Sequence, residues 1–167
     1  MVKNEIFMNI RKATLDDAAA LCNIYNYYIE NTAITHETVI LSVDDAKQKI
    51  SEAISIYVGE IDGKIAGFYT TYPWINYGAY KTTVEASMFL DRDETGKGYG
   101  TQLFEHLLKN IDKTKTHVLL AIVAIPNEAS VRLLEKFGFK QVSHLKEVGR
   151  KFDKWRDIGH WQLMLNF

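Results

Sequence analysis

Residues 118–125 read VLLAIVAI, eight apolar residues in a row with no charge among them. A run so short and so evenly apolar suits a β-strand buried on both faces, in a sheet covered above and below. The strand is predicted over residues 117–125, and the rest of the chain supplies what should cover it. Ala18, Leu21, Cys22, Tyr25, Tyr28 and Ile29 recur at three- and four-residue spacing, one face of a helix. Thr14 is placed to cap that helix, with Asp16 and Asp17 in the first turn, where the helix dipole favours negative charge. Ser42 caps a second helix whose inner side is predicted as Ala46, Ile50, Ala53 and Ile54.

The period then shortens to two. Residues 56–61 and 64–72 read as strands joined by Asp62-Gly63, a dipeptide that tolerates the positive φ of a tight hairpin. Over residues 82–90, Val84, Ala86, Met88 and Leu90 alternate with Thr83, Glu85, Ser87 and Phe89, so the two sets face opposite sides. A helix follows with Leu103, Phe104, Leu107, Leu108 and Ile111 on one side. After the 117–125 strand, Asn127 caps a helix ending at Gly138, and strands are predicted over 139–149 and 156–165, behind a first strand at 6–11. The order β-α-α-β-β-β-α-β-α-β-β predicts an α/β fold with a mixed, mostly antiparallel central sheet flanked by helices. The 167 residues show no repeat or linker and read as one domain, 1–167.

Between strand and helix lies DETGKGYGTQLF, with Gly96, Gly98 and Gly100 at alternate positions. A helix N-terminus offers unpaired amides and partial positive charge, and glycines remove the Cβ atoms that would hold a ligand away. The arrangement suits a pyrophosphate, with Lys97 able to add charge. It matches neither phosphate signature in common use. Lys97 lacks the Gly-Lys-Ser/Thr ending of a P-loop, and GxGxG late in the chain is not the early GxGxxG of a dinucleotide fold.

Composition narrows the function further. A net charge of −1 offers no basic surface for nucleic acid, and no apolar run is of membrane-spanning length. His36, His106, His117, His144 and His160 are dispersed without ligand spacing, so no metal site is expected. Cys22 is the only cysteine and falls on the inner face of the first helix, which reads as an inert buried thiol. With no signal-peptide pattern in MVKNEIFMNI, a cytoplasmic protein is expected.

VEASMFLDRDETGKGYGTQLFEHLL resembles the acyl-coenzyme A core of the GNAT superfamily of N-acetyltransferases. IYNYYIENTAIT, TVEASMFL, AIPNEASVRLLEKFGF and KEVGRKFDKWRD, in that order, are similar to its phosphinothricin acetyltransferase-like branch and cover nearly the whole chain. The resemblance implies a sheet splayed at the coenzyme site and acetyl-CoA as co-substrate. It implies that the backbone of Met88, Phe89 and Leu90 faces the acetyl and pantetheine arm. Gly96, Lys97, Gly98, Tyr99, Gly100 and Thr101 would hold the pyrophosphate, and Asn127 would contact the coenzyme. Glu85 is the implied general base beside the acceptor amine. Tyr28, Trp74 and Tyr80 are candidates to line the acceptor pocket, and Trp155 to sit in a homodimer contact or to pack between strands.

The chain departs from the family pattern at three places. Leu134 stands where relatives carry a tyrosine or histidine able to protonate the departing thiolate. Ile75, Asn76 and Tyr77 occupy the neighbourhood where users of phosphinothricin have basic residues, although Lys81 is near. Thr95 replaces the Gln or Arg that often opens the coenzyme loop. The implied activity is acetyl transfer to the primary amine of a small molecule, an amino acid or an analogue of the phosphinothricin or methionine sulfoximine type, by direct attack in a ternary complex. A protein or peptide N-acetyltransferase and a non-catalytic acyl-CoA sensor are the alternatives.

Overall fold

A computed structural model describes residues 6–165. Seven strands form one sheet in the order β1-β2-β3-β4-β5-β7-β6. They are β1 (Asn9–Lys12), β2 (Ser55–Ile61), β3 (Lys64–Pro73), β4 (Thr83–Leu90), β5 (Val118–Ile125), β6 (Lys140–Lys151) and β7 (Lys154–Met164). Four α-helices pack on it: α1 (Ala18–Asn31), α2 (Val43–Glu52), α3 (Tyr99–Asn110) and α4 (Glu128–Lys136). Every neighbouring pair of strands is antiparallel except β4 and β5. That pair needs a crossover, and α3 supplies it.

The VLLAIVAI run is the middle of this arrangement. Leu119, Ala121 and Val123 join Leu103, Phe104 and Leu107 of α3 and Leu134 of α4 in one core. Leu120 and Ala124, on the opposite face, are buried as well. A second cluster sets Leu21, Ile24 and Tyr28 of α1 against Ile56, Val58 and Phe68 of β2 and β3. Side chains as fully buried as Leu103 and Leu119 each contribute about 1.5–3 kcal/mol.

The local signals act with some corrections. Ser42 accepts a hydrogen bond from the Asp45 amide at 3.1 Å and caps α2 as expected. At α1 the chain first makes a 3-10 turn, Leu15–Asp17, and the fixing group there is Asp17. Its carboxylate accepts from the Thr14 amide at 2.7 Å and takes two Arg11 N–H groups at 2.8 Å each. Ile54, expected on the inner side of α2, lies past its end and is 52 % exposed, because Ala53 already leaves helical geometry at ψ 148°. The last two strands run further toward each other than their polar sequence suggests. Phe152 and Asp153, at φ 53° and 56°, close a two-residue hairpin of the twist that strands prefer, without the usual Asn or Gly.

Candidate active site

β4 and β5 are joined by three rungs only: Thr83–Val118, Val84–Leu119 and Glu85–Leu120. Beyond them β4 continues to Leu90 and β5 to Ile125, each without the other as partner. The sheet therefore splits, and the β4 edge facing β5 presents the backbone groups of Ala86 and Met88 and the amide of Leu90. Phe89, expected on this edge, turns its backbone to Phe68 of β3 because successive residues of a strand face opposite neighbours, and the Leu90 carbonyl is taken by the Tyr28 hydroxyl. An extended ligand can pair with such an edge as a strand would.

The glycine loop stands at the open end of this split. Gly96 and Gly98 take φ 74° and 90°, and a Cβ added at either would meet no protein atom within 4 Å. Glycine is needed there for backbone conformation, and the space beside it is open. Gly100 acts differently: its Cβ would lie 3.4 Å from Leu133 and 3.8 Å from Leu90, so it lets α3 settle against α4 and β4. Among the described residues, the amides of residues 96–100 have no hydrogen-bond acceptor. The Thr101 amide is already taken, by the Gly98 carbonyl at 3.1 Å, and the Thr101 hydroxyl receives the Lys136 ammonium at 3.4 Å. Lys97 is paired with Glu94 at 3.0 Å, which offsets part of the charge it brings to the loop. Asn127 uses its side-chain oxygen to cap α4, accepting from the Ser130 amide at 3.2 Å.

Glu85 sits on the other face of the sheet, toward α1. Its neighbours across the rungs are Tyr72 of β3 and Leu120 of β5. Burial pushes its carboxyl above the usual carboxylate range. Tyr25 lies close, its phenol pushed up to about 12 first by burial and then by the nearby carboxylates of Glu37 and Glu85. The Tyr72 hydroxyl donates to the Lys49 carbonyl at 2.8 Å.

A groove of about 340 Å³ continues from this point along the same face, lined by Trp74, Thr83, Leu120, Ser143, His160 and Gln162 among others, none of them a lysine, arginine or carboxylate. Tyr80 packs edge-on against Trp74 with ring centroids 5.7 Å apart. Ser143 accepts from the His160 amide at 3.2 Å, and its hydroxyl is hydrogen-bonded to His160 Nδ1 at 2.6 Å.

Tyr28 does not open into the groove. It is buried, and its hydroxyl donates to the Leu90 carbonyl at 2.6 Å, tying α1 to the end of β4. Leu134 is 4 % exposed inside the apolar core and brings no proton donor to the split. The sequence pointed to Glu85 and the glycine loop, yet said nothing of Tyr72 as the neighbour of Glu85. The alternation of Phe68, Thr70 and Tyr72 puts these three on one face, but only the strand register brings Tyr72 opposite Glu85.

Residues 10–160 match the acetyltransferase (GNAT) domain family. The chain belongs to that family. Within it, this GNAT chain is 33 % identical to a phosphinothricin N-acetyltransferase of Streptomyces viridochromogenes, over 93 % of its own length and 86 % of that protein's. It is 29 % identical to an L-amino acid N-acyltransferase of Escherichia coli, over 95 % of each chain. Among solved structures, a Salmonella typhimurium protein in complex with its cofactor acetyl-CoA superposes with a TM-score of 0.89 at 29 % identity, covering 96 % of this chain and 95 % of that one. The splayed sheet described above is thus the GNAT fold.

Proposed function

We propose that this GNAT chain transfers an acetyl group from acetyl-CoA to the primary amine of a small molecule, an amino acid or an analogue of one. The observation that carries the reading is the end of β4–β5 pairing at Glu85. An open backbone edge and a half-buried carboxylate then adjoin on one strand, β4, where the split begins.

The free amides of residues 96–100 at the start of α3 hold the diphosphate, where unpaired N–H groups and the helix dipole both favour an anion. The open β4 edge around Met88 pairs with the pantetheine arm, with Asn127, the cap of α4, on the far side of the split. Glu85 removes a proton from the acceptor ammonium, directly or through one water, and its raised pKa brings it nearer to the operating pH. The freed amine attacks the thioester carbon, a β4 amide stabilises the oxyanion, the C–S bond breaks with the coenzyme leaving as thiolate, and the remaining excess proton on nitrogen passes to water as the amide forms. With Leu134 in the family's acid position, that thiolate departs unprotonated, which a thiol of pKa near 8.5 permits. Holding both reactants in the split supplies the largest share of the rate, up to roughly 7–11 kcal/mol.

Trp74 and Tyr80 form the wall along which the acceptor's side chain lies, and Tyr28 fixes the strand end behind it. Because the groove offers no cation, an uncharged side chain is favoured over a phosphinate. The exposed apolar residues Val142, Leu145, Val148 and Trp155 on the outer hairpin support a homodimer formed through that hairpin. The lone buried thiol Cys22 is in keeping with a cytoplasmic location.

The test is thiol release from acetyl-CoA against a panel of amino acids, phosphinothricin, methionine sulfone and short peptides. Release with a free amino acid or analogue is expected. Coenzyme binding without release for any amine would instead support an acyl-CoA sensor, and release with peptides alone a protein acetyltransferase.

A further inference from the structure

Lys151 closes β6 and is only 8 % exposed, yet its ammonium makes no ion pair among the described residues. Its Nζ lies 3.1 Å from the Thr35 hydroxyl and 3.4 Å from the Thr35 carbonyl, and 5.3 Å from the centre of the Phe152 ring. Thr35 is itself buried, and 116 residues separate the two in sequence. Burying an ammonium against neutral oxygens costs free energy, and burial accordingly lowers the pKa of Lys151. A hydrophobic residue would fill the same space without that cost.

What the contact achieves is geometric. Thr35 lies in the segment 32–42 that connects α1 to α2. The ends of this segment are tied to α1: the Thr32 hydroxyl donates to the Tyr28 carbonyl at 2.8 Å, and Asn26 makes two bonds of 2.9 Å to the Leu41 backbone. Its middle is held from elsewhere. His36, next to Thr35, lies beside the backbone of Ile122 in β5, two residues past the last rung with β4. The segment therefore crosses from α1 over the split to the β5 side, on the face that carries Glu85. Lys151 grips it from the far hairpin.

We infer that Lys151 is a positioning residue for the acceptor, pinning segment 32–42 across the split through Thr35 so that His36 and Glu37 roof the space beside Glu85. The role of that roof rests on the acetyl-transfer reading above; the pinning does not.

Two readouts separate these. Hydrogen exchange of the full chain, carrying Lys151→Met or Lys151→Arg, reports the segment without any substrate. Residues 33–41 should exchange about tenfold faster or more in the methionine variant and return toward wild type with arginine, which restores a donor. Steady-state kinetics with L-methionine sulfone and acetyl-CoA should show the KM for the sulfone raised about tenfold in Lys151→Met, with kcat and the KM for acetyl-CoA within about twofold of wild type. Thr35→Val removes the other partner and should reproduce both effects, should Lys151→Met fold poorly. Unchanged exchange over 33–41 would overturn the pinning. An equal rise in both KM values would overturn the acceptor role and leave a general structural one. Faster exchange together with no turnover of any amine would uphold the pinning and count against the acetyl-transfer reading.

Discussion

Glu85 stands opposite Leu120 on the last rung that joins β4 to β5, and opposite Tyr72 on the side of β3. One residue further along β4, the sheet has opened. A carboxylate at this point is half-buried by the sheet it belongs to and stands beside the opening of the split.

Replacing Glu85 by glutamine keeps the shape and removes the base. Turnover should fall about 10²- to 10⁴-fold, and the acidic limb of the wild-type pH–rate profile, set above the ordinary carboxylate range, should vanish. Stability should move the other way. A carboxyl whose pKa is higher folded than unfolded favours the fold below its unfolded value and loses that contribution as pH rises through the folded one. Glu85→Gln should therefore melt at a higher temperature than wild type in thermal scans at neutral pH, and show little advantage near pH 4.

Much of the local geometry around this candidate site could be read from the sequence. Two-residue alternation put Glu85 on the face opposite Val84 and Ala86, and three alternating glycines marked the turn from β4 into an amphipathic helix. What escaped depends on partners distant in the chain. The sequence does not say where β4 and β5 stop pairing, so it cannot place Glu85 at the apex of the split. Tyr28 looks like a pocket aromatic until its hydroxyl is seen on Leu90, 62 residues away. The Lys151–Thr35 contact has no local signature at all. The fold's main error was also one of context: Ile54 continues the helical spacing of Ile50 but follows the residue at which α2 ends.

Gly98 is held at φ 90°, where an L-residue is strained by roughly 1–2 kcal/mol. Gly98→Ala should lower the melting temperature by a few degrees, about 2–4 °C per kcal/mol for a chain of this size, and weaken acetyl-CoA binding about tenfold or more. Ala in place of Gly63, also at positive φ but in the distant β2–β3 hairpin, should destabilise without touching coenzyme affinity, as calorimetric titration of both variants would show.

Asp17 is clamped by Arg11 and the Thr14 amide, and the Arg11 hydrogen bonds, together with the Thr14 amide, hold its pKa down to about 2. A carboxylate depressed in this way stabilises the fold above its unfolded pKa, and the contribution is lost as pH falls through the folded value. Asp17→Asn should cost about 2 kcal/mol in urea unfolding at pH 7, and the gap to wild type should close between about pH 4 and pH 2.

Cys22 is buried against α2, its thiol donates to the Ser42 carbonyl at 3.1 Å, and burial raises its pKa. An aromatic disulfide reagent should label it only slowly in the native state and fully in denaturant. Cys22→Ala should retain turnover while losing about 1 kcal/mol of stability to the small cavity left beside Leu41 and Ala46.

The whole account requires that the split sheet and the amides ahead of α3 hold acetyl-CoA. Isothermal titration of the purified chain with acetyl-CoA tests this most directly. One coenzyme bound per chain, weakened by Gly98→Ala and indifferent to Glu85→Gln, is the expected result; no heat of binding at millimolar coenzyme, about −4 kcal/mol of affinity, would contradict it.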